Sequence, residues 1–240
     1  MTDGSSQPPT AEYGIDRPPR VIAIAFLAFV MVMGGIFIGS GLSDARWSLP
    51  AWLLGLVLWG VTGWAFWSGK VGKGRRWDGV LDALSLTGTE RALDVGCGRG
   101  LVLIKLAQRL DGTPVQGIDL WRSKDQSGNT PSVAAANASV EFFQDRVEIR
   151  TGDARDLPYG DASFDLVTAS LLLGSLATPA DRARVLAQVR RVLAPEGRLV
   201  VVESGSAKRL TTELIDAGFT DITTSSRSFL TFPPTRSVVA

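Results

Sequence analysis

Histidine is absent from all 240 residues, and that omission removes a large part of enzymology. No Ser-His-Asp triad, no histidine-ligated zinc hydrolase and no imidazole base is available to this chain. A single cysteine, Cys97, excludes an intrachain disulfide and any multi-cysteine metal site, so no metal is expected. Charge of one sign is not in excess either. The 25 Lys and Arg residues stand against 24 Asp and Glu, a formal net charge of +1, without the basic surplus of a dedicated nucleic-acid binder.

Charge is also missing locally, in two long runs. Residues 21–42 and 48–67 carry no charged side chain, and about 20 apolar residues are enough for a helix to cross a ~30 Å hydrocarbon core. Neither run has a polar face, which argues against buried helices of a soluble protein. The first is too long and starts too late for the short apolar core of a cleaved signal peptide. The connection 43–47 carries only Asp44 and Arg46, so the pair reads as a transmembrane hairpin over residues 21–69. Five of the seven tryptophans fall within residues 47–67. Trp47 and Trp52 lie near one end of the second span, Trp64 and Trp67 near the other, as interfacial belts do. Gly35 and Gly39 form a small-xxx-small pair suited to close helix approach. Lys70, Lys73, Arg75 and Arg76 follow the second span and Arg17 and Arg20 precede the first, which puts both termini in the cytoplasm. The basic stretch 67–77 reads as a short linker holding the remainder close to the headgroups. Residues 1–20, rich in Pro, Gly and Ser, read as a flexible tail.

From residue 70 to 240 the pattern becomes that of a folded domain. Strands are expected at 91–95, 114–119, 147–151, 164–170 and 198–203, with short ones within 221–229 and 236–239. Helices are expected at 101–110, 131–143 with Thr130 as N-cap, 181–193 and 207–217. Strands alternating with helices predict an α/β fold: an open, mostly parallel, Rossmann-like sheet of seven strands with helices on both faces. The last two strands have no helix between them and suggest an antiparallel edge.

The most informative segment is Ala92-Leu93-Asp94-Val95-Gly96-Cys97-Gly98-Arg99-Gly100. A strand runs into a glycine turn and then a helix, which places unpaired N–H groups and room for close approach at the carboxyl end of the strand. Alone, this means a ligand at that edge. The spacing, G-x-G-x-G with an acidic residue two positions before the first glycine, is not the G-x-G-x-x-G of nicotinamide dinucleotide turns.

With that loop, residues 77–240 resemble the class I S-adenosylmethionine-dependent methyltransferases. The resemblance implies S-adenosylmethionine as cofactor and a binding site made of Asp94, Gly96, Cys97, Gly98 and Gly100 around its methionine part. Asp119 and Leu120 follow at the end of the second strand, with Asp119 on the ribose hydroxyls. Gly152, Asp153 and Ala154 would meet the adenine, with Asp153 accepting from its exocyclic amine, and Ser170 closes the fourth strand. The segments Ser163-Phe164-Asp165-Leu166-Val167 and 193–200 resemble the family's fourth strand and the run into its fifth. The long polar loop Trp121–Asn129 is either a solvent loop or a flap over the cofactor with Trp121 near adenine. No catalytic base is assigned; Asp153, Asp165 and Tyr159 are the candidates. Members of the family often carry a histidine after the fourth strand, and the stretch 171–176 has none, which leaves the acceptor class open. The expected function is methyl transfer by a membrane-anchored enzyme to a small-molecule or lipid acceptor. The alternatives are a tethered nucleotide- or S-adenosylmethionine-binding protein without turnover and, disfavoured by the glycine spacing, a nicotinamide-dependent oxidoreductase.

Overall fold

The computed structural model describes residues 10–16, 18–37 and 48–240. Arg17, Gly39 and the connection 43–47 with Arg46 and Trp47 lie outside the described residues. Helices α1 (Pro18–Phe37) and α2 (Ser48–Trp67) are both long and apolar enough to cross a membrane. They approach most closely at small residues. A Cβ on Gly55 would stand 2.6 Å from Val32 Cγ2 and 3.6 Å from the Ala28 carbonyl, the contact that small side chains permit between apolar helices. Gly35 faces the Trp52 ring instead. Large apolar side chains on the outer faces, among them Ile22, Phe26, Phe29, Leu56 and Trp59, are exposed.

Residues 67–77 are not a linker. One π-helical turn, Ser68–Gly72, carries α2 directly into α3 (Lys73–Asp82). No proline interrupts this stretch, and Gly69 and Gly72 sit where neighbouring backbone comes close. A Cβ on Gly72 would collide with the Leu230 carbonyl oxygen. Trp77, Val80 and Leu81, spaced to share one helix face, are buried against the sheet. The apolar pair and the domain are therefore joined by one continuous helix. Gly72→Val is expected to destabilise the full chain in detergent by about 1–3 kcal/mol, the usual penalty for overpacking. Gly79→Val is its control, because nothing lies within 4 Å of a Cβ there. Equal thermal unfolding of the two variants would contradict the docking of the domain on this helix.

The domain then runs β1 (Ala92–Val95), α4 (Leu101–Ala107), β2 (Val115–Asp119), α5 (Pro131–Val140), β3 (Val147–Thr151), β4 (Phe164–Ser170), α6 (Pro179–Val192), β5 (Leu193–Glu203), α7 (Ala207–Asp216), β6 (Thr223–Thr224) and β7 (Arg236–Val239). These strands form one seven-stranded sheet in the order β3-β2-β1-β4-β5-β7-β6. The first five are parallel, and β7 inserts antiparallel between β5 and β6. The reason is connectivity: a helix or, between β3 and β4, a long loop carries the chain back to start each parallel strand, whereas the chain turns from β6 into β7 with no helix between them. Successive residues of the central strands serve opposite faces. Leu93, Val167 and Val201 pack under α6 and α7, while Ala92, Leu166 and Val200 pack with Trp77 and α4.

Thr130 caps α5 as expected, its hydroxyl accepting from Val133 N. α6 starts earlier than expected, at Pro179, because Thr178 accepts from Asp181 N and proline suits the first turn. β6 is shorter than expected, since the residues after it turn away to meet α2. Phe232 N donates to Ser68 Oγ at 2.7 Å and Trp64 Nε1 donates to the Phe229 carbonyl at 3.0 Å.

Part of the supposed tail is docked rather than free. Lys73 Nζ donates to the Tyr13 and Gly14 carbonyls and to Asp16 Oδ1 at 3.2, 3.0 and 3.3 Å. Asn137 pairs with the Glu12 backbone through both its side-chain oxygen and nitrogen. Composition predicted a flexible tail because residues 10–16 cannot bury a core. What holds them is backbone hydrogen bonding to side chains distant in sequence.

Candidate functional site

The backbone of the glycine turn folds over the end of β2, where Gly96 N and Cys97 N both donate to the Ile118 carbonyl, at 2.8 and 3.2 Å. Gly96, Gly98 and Gly100 have φ of 75°, 52° and 85°, the left-handed region that other residues enter at a cost. A cavity of about 360 Å³ opens over the carboxyl ends of β1, β2 and β4. Asp94, Gly96, Cys97, Gly98, Asp119, Leu120, Gly152, Asp153, Ala154 and Ser170 all line it. Gly100 does not. Its left-handed backbone forms the N-cap of α4, so its role is to start the helix rather than to touch a ligand.

Asp94 is the electrostatic centre of the site. It is buried, its Oδ1 accepts from Thr168 Oγ1 at 2.8 Å, and its Oδ2 has no hydrogen-bond partner among the described residues. Burial, with a further push from the Asp119 charge, raises its carboxyl to about 7. An unsatisfied buried carboxylate oxygen beside a cavity is a socket for a cation that donates hydrogen bonds. The α-ammonium of a methionyl group has that chemistry.

Asp119 ends β2. Its Oδ2 accepts from Gly98 N at 2.9 Å, and its Oδ1 accepts from Trp121 N at 2.6 Å and Asn129 Nδ2 at 3.3 Å. A carboxylate has about four lone-pair sites, so three donors orient this one and leave capacity for a ligand hydroxyl. Together the orphan oxygen of Asp94, the glycine turn and Asp119 fit an amino acid joined to a nucleoside.

Several expected roles are redistributed. The carboxylate of Asp153 is engaged by Arg155, whose Nε and Nη2 lie 2.6–3.0 Å from its oxygens. The Arg155 guanidinium holds the pKa of the Asp153 carboxyl below the usual carboxylate range. Asp153 therefore lines the cavity as an ionised carboxylate tied to Arg155, a poor base, with one lone-pair site beyond its three donors for a ligand amine. Asp165 is bound bidentately by Arg91 at the start of β4, the edge opposite the cavity. Tyr159 packs edge-on against Phe164 and is not among the lining residues. None of the three candidate bases is in place to act. Burial pushes the Cys97 thiol well up, which makes it a small neutral residue in a tight loop.

The loop Trp121–Asn129 covers the site, yet Trp121 is not a cavity residue; its Nε1 donates to Thr151 Oγ1 at 2.7 Å. The cover is made by Arg122, Lys124, Gln126 and Asn129. Gln126 accepts from Arg99 N and donates to the Tyr13 carbonyl, and Ile15 N donates to Ser127 Oγ. Asp16, Pro19, Arg20 and Lys73 complete the wall. The length of the loop was a signal for its lining residues. Nothing local marks the second group, because only tertiary packing brings the ends of α1 and α2 to the sheet.

Residues 93–201 match a methyltransferase domain family. The chain is 40% identical over 124 residues, 52% of its length and 42% of the relative's, to 27-O-demethylrifamycin SV methyltransferase of Amycolatopsis mediterranei. It is 34% identical over 136 residues, 56% of this chain and 54% of the relative, to demethylmenaquinone methyltransferase of Lactiplantibacillus plantarum. The chain thus spans about half the length of these relatives. A solved S-adenosylmethionine-dependent methyltransferase from Aquifex aeolicus superposes with a TM-score of 0.54 at 18% identity, covering 68% of this chain and 88% of that one. The sheet order is that of the superposed structure's fold, and the part of the chain that matches the methyltransferase domain family, residues 93–201, contains the glycine turn, Asp119 and Asp153.

Proposed function

We propose that this chain is a membrane-anchored methyltransferase whose two apolar helices cross the bilayer, with both termini and the domain cytoplasmic, and whose acceptor is lipophilic. One observation carries the reading. Asp16, Pro19 and Arg20 at the start of α1, and Lys73 at the start of α3 where it continues α2, line the same cavity as Asp94 and Asp119. A soluble metabolite needs no such placement, whereas anchoring raises the local concentration of the site for a membrane acceptor. The relative named for demethylmenaquinone agrees with a lipophilic acceptor.

Bound S-adenosylmethionine would supply an electrophilic methyl group, whose bond to sulfur breaks with the electron pair going to sulfur. Asp94 would hold the ammonium, Asp119 a ribose hydroxyl, and Leu172 and Leu176 would keep water from the reacting side. The chain's part is to position and to exclude, since alignment of two reactants supplies much of the rate. With Asp153, Asp165 and Tyr159 committed elsewhere, the acceptor would be a group that needs no strong protein base, such as an acidic hydroxyl or a stabilised carbanion.

Topology is tested with cysteines at Ser43 and Arg75, against the background of a buried Cys97. A membrane-impermeant reagent added to intact cells is expected to label position 43 and spare position 75; equal labelling contradicts the hairpin. For the acceptor, methyl transfer from labelled cofactor is followed into lipids, membrane proteins and soluble metabolites, with the full chain and with residues 70–240 alone. Label is expected in the lipid fraction and to depend on the anchor. If only soluble metabolites are labelled, and equally fast by the shortened chain, the acceptor reading is wrong.

A further inference from the structure

We infer that the hydrocarbon chain of the acceptor lies in a cleft between the first turns of α1 and the Phe232–Pro233 turn, entering the methyl-transfer cavity sideways from the bilayer. This rests on the methyltransferase reading and adds the acceptor's path and binding surface to it.

A second cavity, of about 120 Å³, is lined by Asp16, Arg20, Val21, Ile24, Phe232 and Pro233. Asp16 and Arg20 also belong to the wall of the larger cavity, so the two spaces are neighbours across those side chains. Beyond them the smaller one is apolar. Val21 and Ile24 continue the helix face that begins at Arg20, and four residues of helix advance about 6 Å. Within that distance the wall changes from charged to hydrocarbon, the polarity profile of a lipid with a small polar head.

The opposite wall is held in place. Phe232 packs edge-on against Trp64 with ring centroids 5.1 Å apart, and its N–H donates to Ser68 Oγ at 2.7 Å. The cleft is therefore bounded by the start of α1 on one side and by the Phe232–Pro233 turn on the other, with α2 and the turn after it supporting Phe232 from behind. The other approach to the cofactor is covered: the backbone of residues 13–15 is bonded to Gln126, Ser127 and Lys73. The small volume and the apolar wall fit part of a single linear apolar chain, a prenyl or alkyl group, better than a bulky ring system, since pockets recognise shape through their apolar walls.

The test uses the full chain in phosphatidylcholine nanodiscs with hexadecanol carrying a mid-chain diazirine. After photolysis, adducts are expected on Val21, Ile24 and Phe232 in excess over Ile22 and Phe26, which are exposed on the same turns of α1, by about fivefold or more for a buried chain over a bulk-lipid contact. Ile24→Trp is expected to reduce adducts at Phe232 while leaving S-adenosylmethionine affinity by calorimetry unchanged. Labelling of Ile22 and Phe26 as strong as that of Ile24 overturns the cleft, because the probe then behaves as ordinary bilayer lipid. Adducts at Phe232 that persist unchanged in a folded Ile24→Trp variant overturn it too, and the wild-type ratio decides alone if that variant does not fold. Failure of the wild-type chain to bind S-adenosylmethionine would instead remove the methyltransferase reading, whatever the labelling pattern.

Discussion

Replacing Gly96 with valine should abolish S-adenosylmethionine binding by the full chain. Gly96 has a φ of 75°, and a left-handed backbone costs an ordinary L-residue roughly 1–2 kcal/mol, with β-branching adding to it. A Cβ would stand 3.1 Å from Leu172 Cδ1 and 3.4 Å from Leu172 Cβ, so valine has to displace the wall of the cavity as well. The turn also carries the N–H groups of Gly96 and Cys97 to the Ile118 carbonyl, and a shift in either breaks its attachment to β2. Together these effects are expected to weaken binding by about two orders of magnitude or more, since each ~1.4 kcal/mol is tenfold. Asp119→Ala is expected to cost less, about 1–3 kcal/mol, by leaving ligand hydroxyls and the Gly98 N–H without an acceptor. Calorimetry that finds both affinities unchanged would sink the site.

The second large effect is on pH. Asp94 ionises at about 7 in the folded chain, mainly because it is buried, and only the ionised form attracts a cationic ammonium. Cofactor affinity should therefore rise as pH increases through 7 and level off above it. One pH unit below 7 only about a tenth of the sites are ionised, so affinity there is expected to be roughly tenfold weaker than the plateau. The stability of the ligand-free protein runs the other way. Asp94 holds its proton in the folded state up to about 7, while in the unfolded chain the carboxyl loses it near 4. Between those values the folded state binds more protons, so this group's contribution to stability falls as pH rises. Asp94→Asn should remove both dependences and weaken binding at pH 8. A binding profile between pH 5.5 and 8.5 that is flat in the wild type, or equally steep in the variant, contradicts the assignment.

Legibility in the sequence followed the range of the interactions. The glycine turn, Asp94 at the end of β1 and Asp119 at the end of β2 were readable because a strand-turn-helix unit is local, and because residue type and spacing state its backbone demands. Thr130 was readable as a cap for the same reason, since its partner, Val133 N, lies three residues away. Asp153 shows where that kind of reading stops. Its place at the cavity follows from β3, but its chemistry is set by Arg155, which also reaches Asp181 on α6. Asp165 likewise sits on the expected strand, at the end away from the site.

By itself the sequence determined the alternation of strands and helices, the antiparallel edge, the cofactor turn and two uncharged runs long enough to span a bilayer. Periodicity, composition and glycine spacing are properties of neighbouring residues, and each carries its own energetic consequence. Only the tertiary structure decided that α2 runs unbroken into α3, that residues 10–16 lie over the cofactor cavity, and that Arg20 and Lys73 share a wall with Asp94. Those contacts join residues 57–125 positions apart, as between Lys73 and Asp16 or Glu12 and Asn137. Each pairs a side chain with a partner far away in the sequence, so residue type alone does not mark it and folding selects which of them meet.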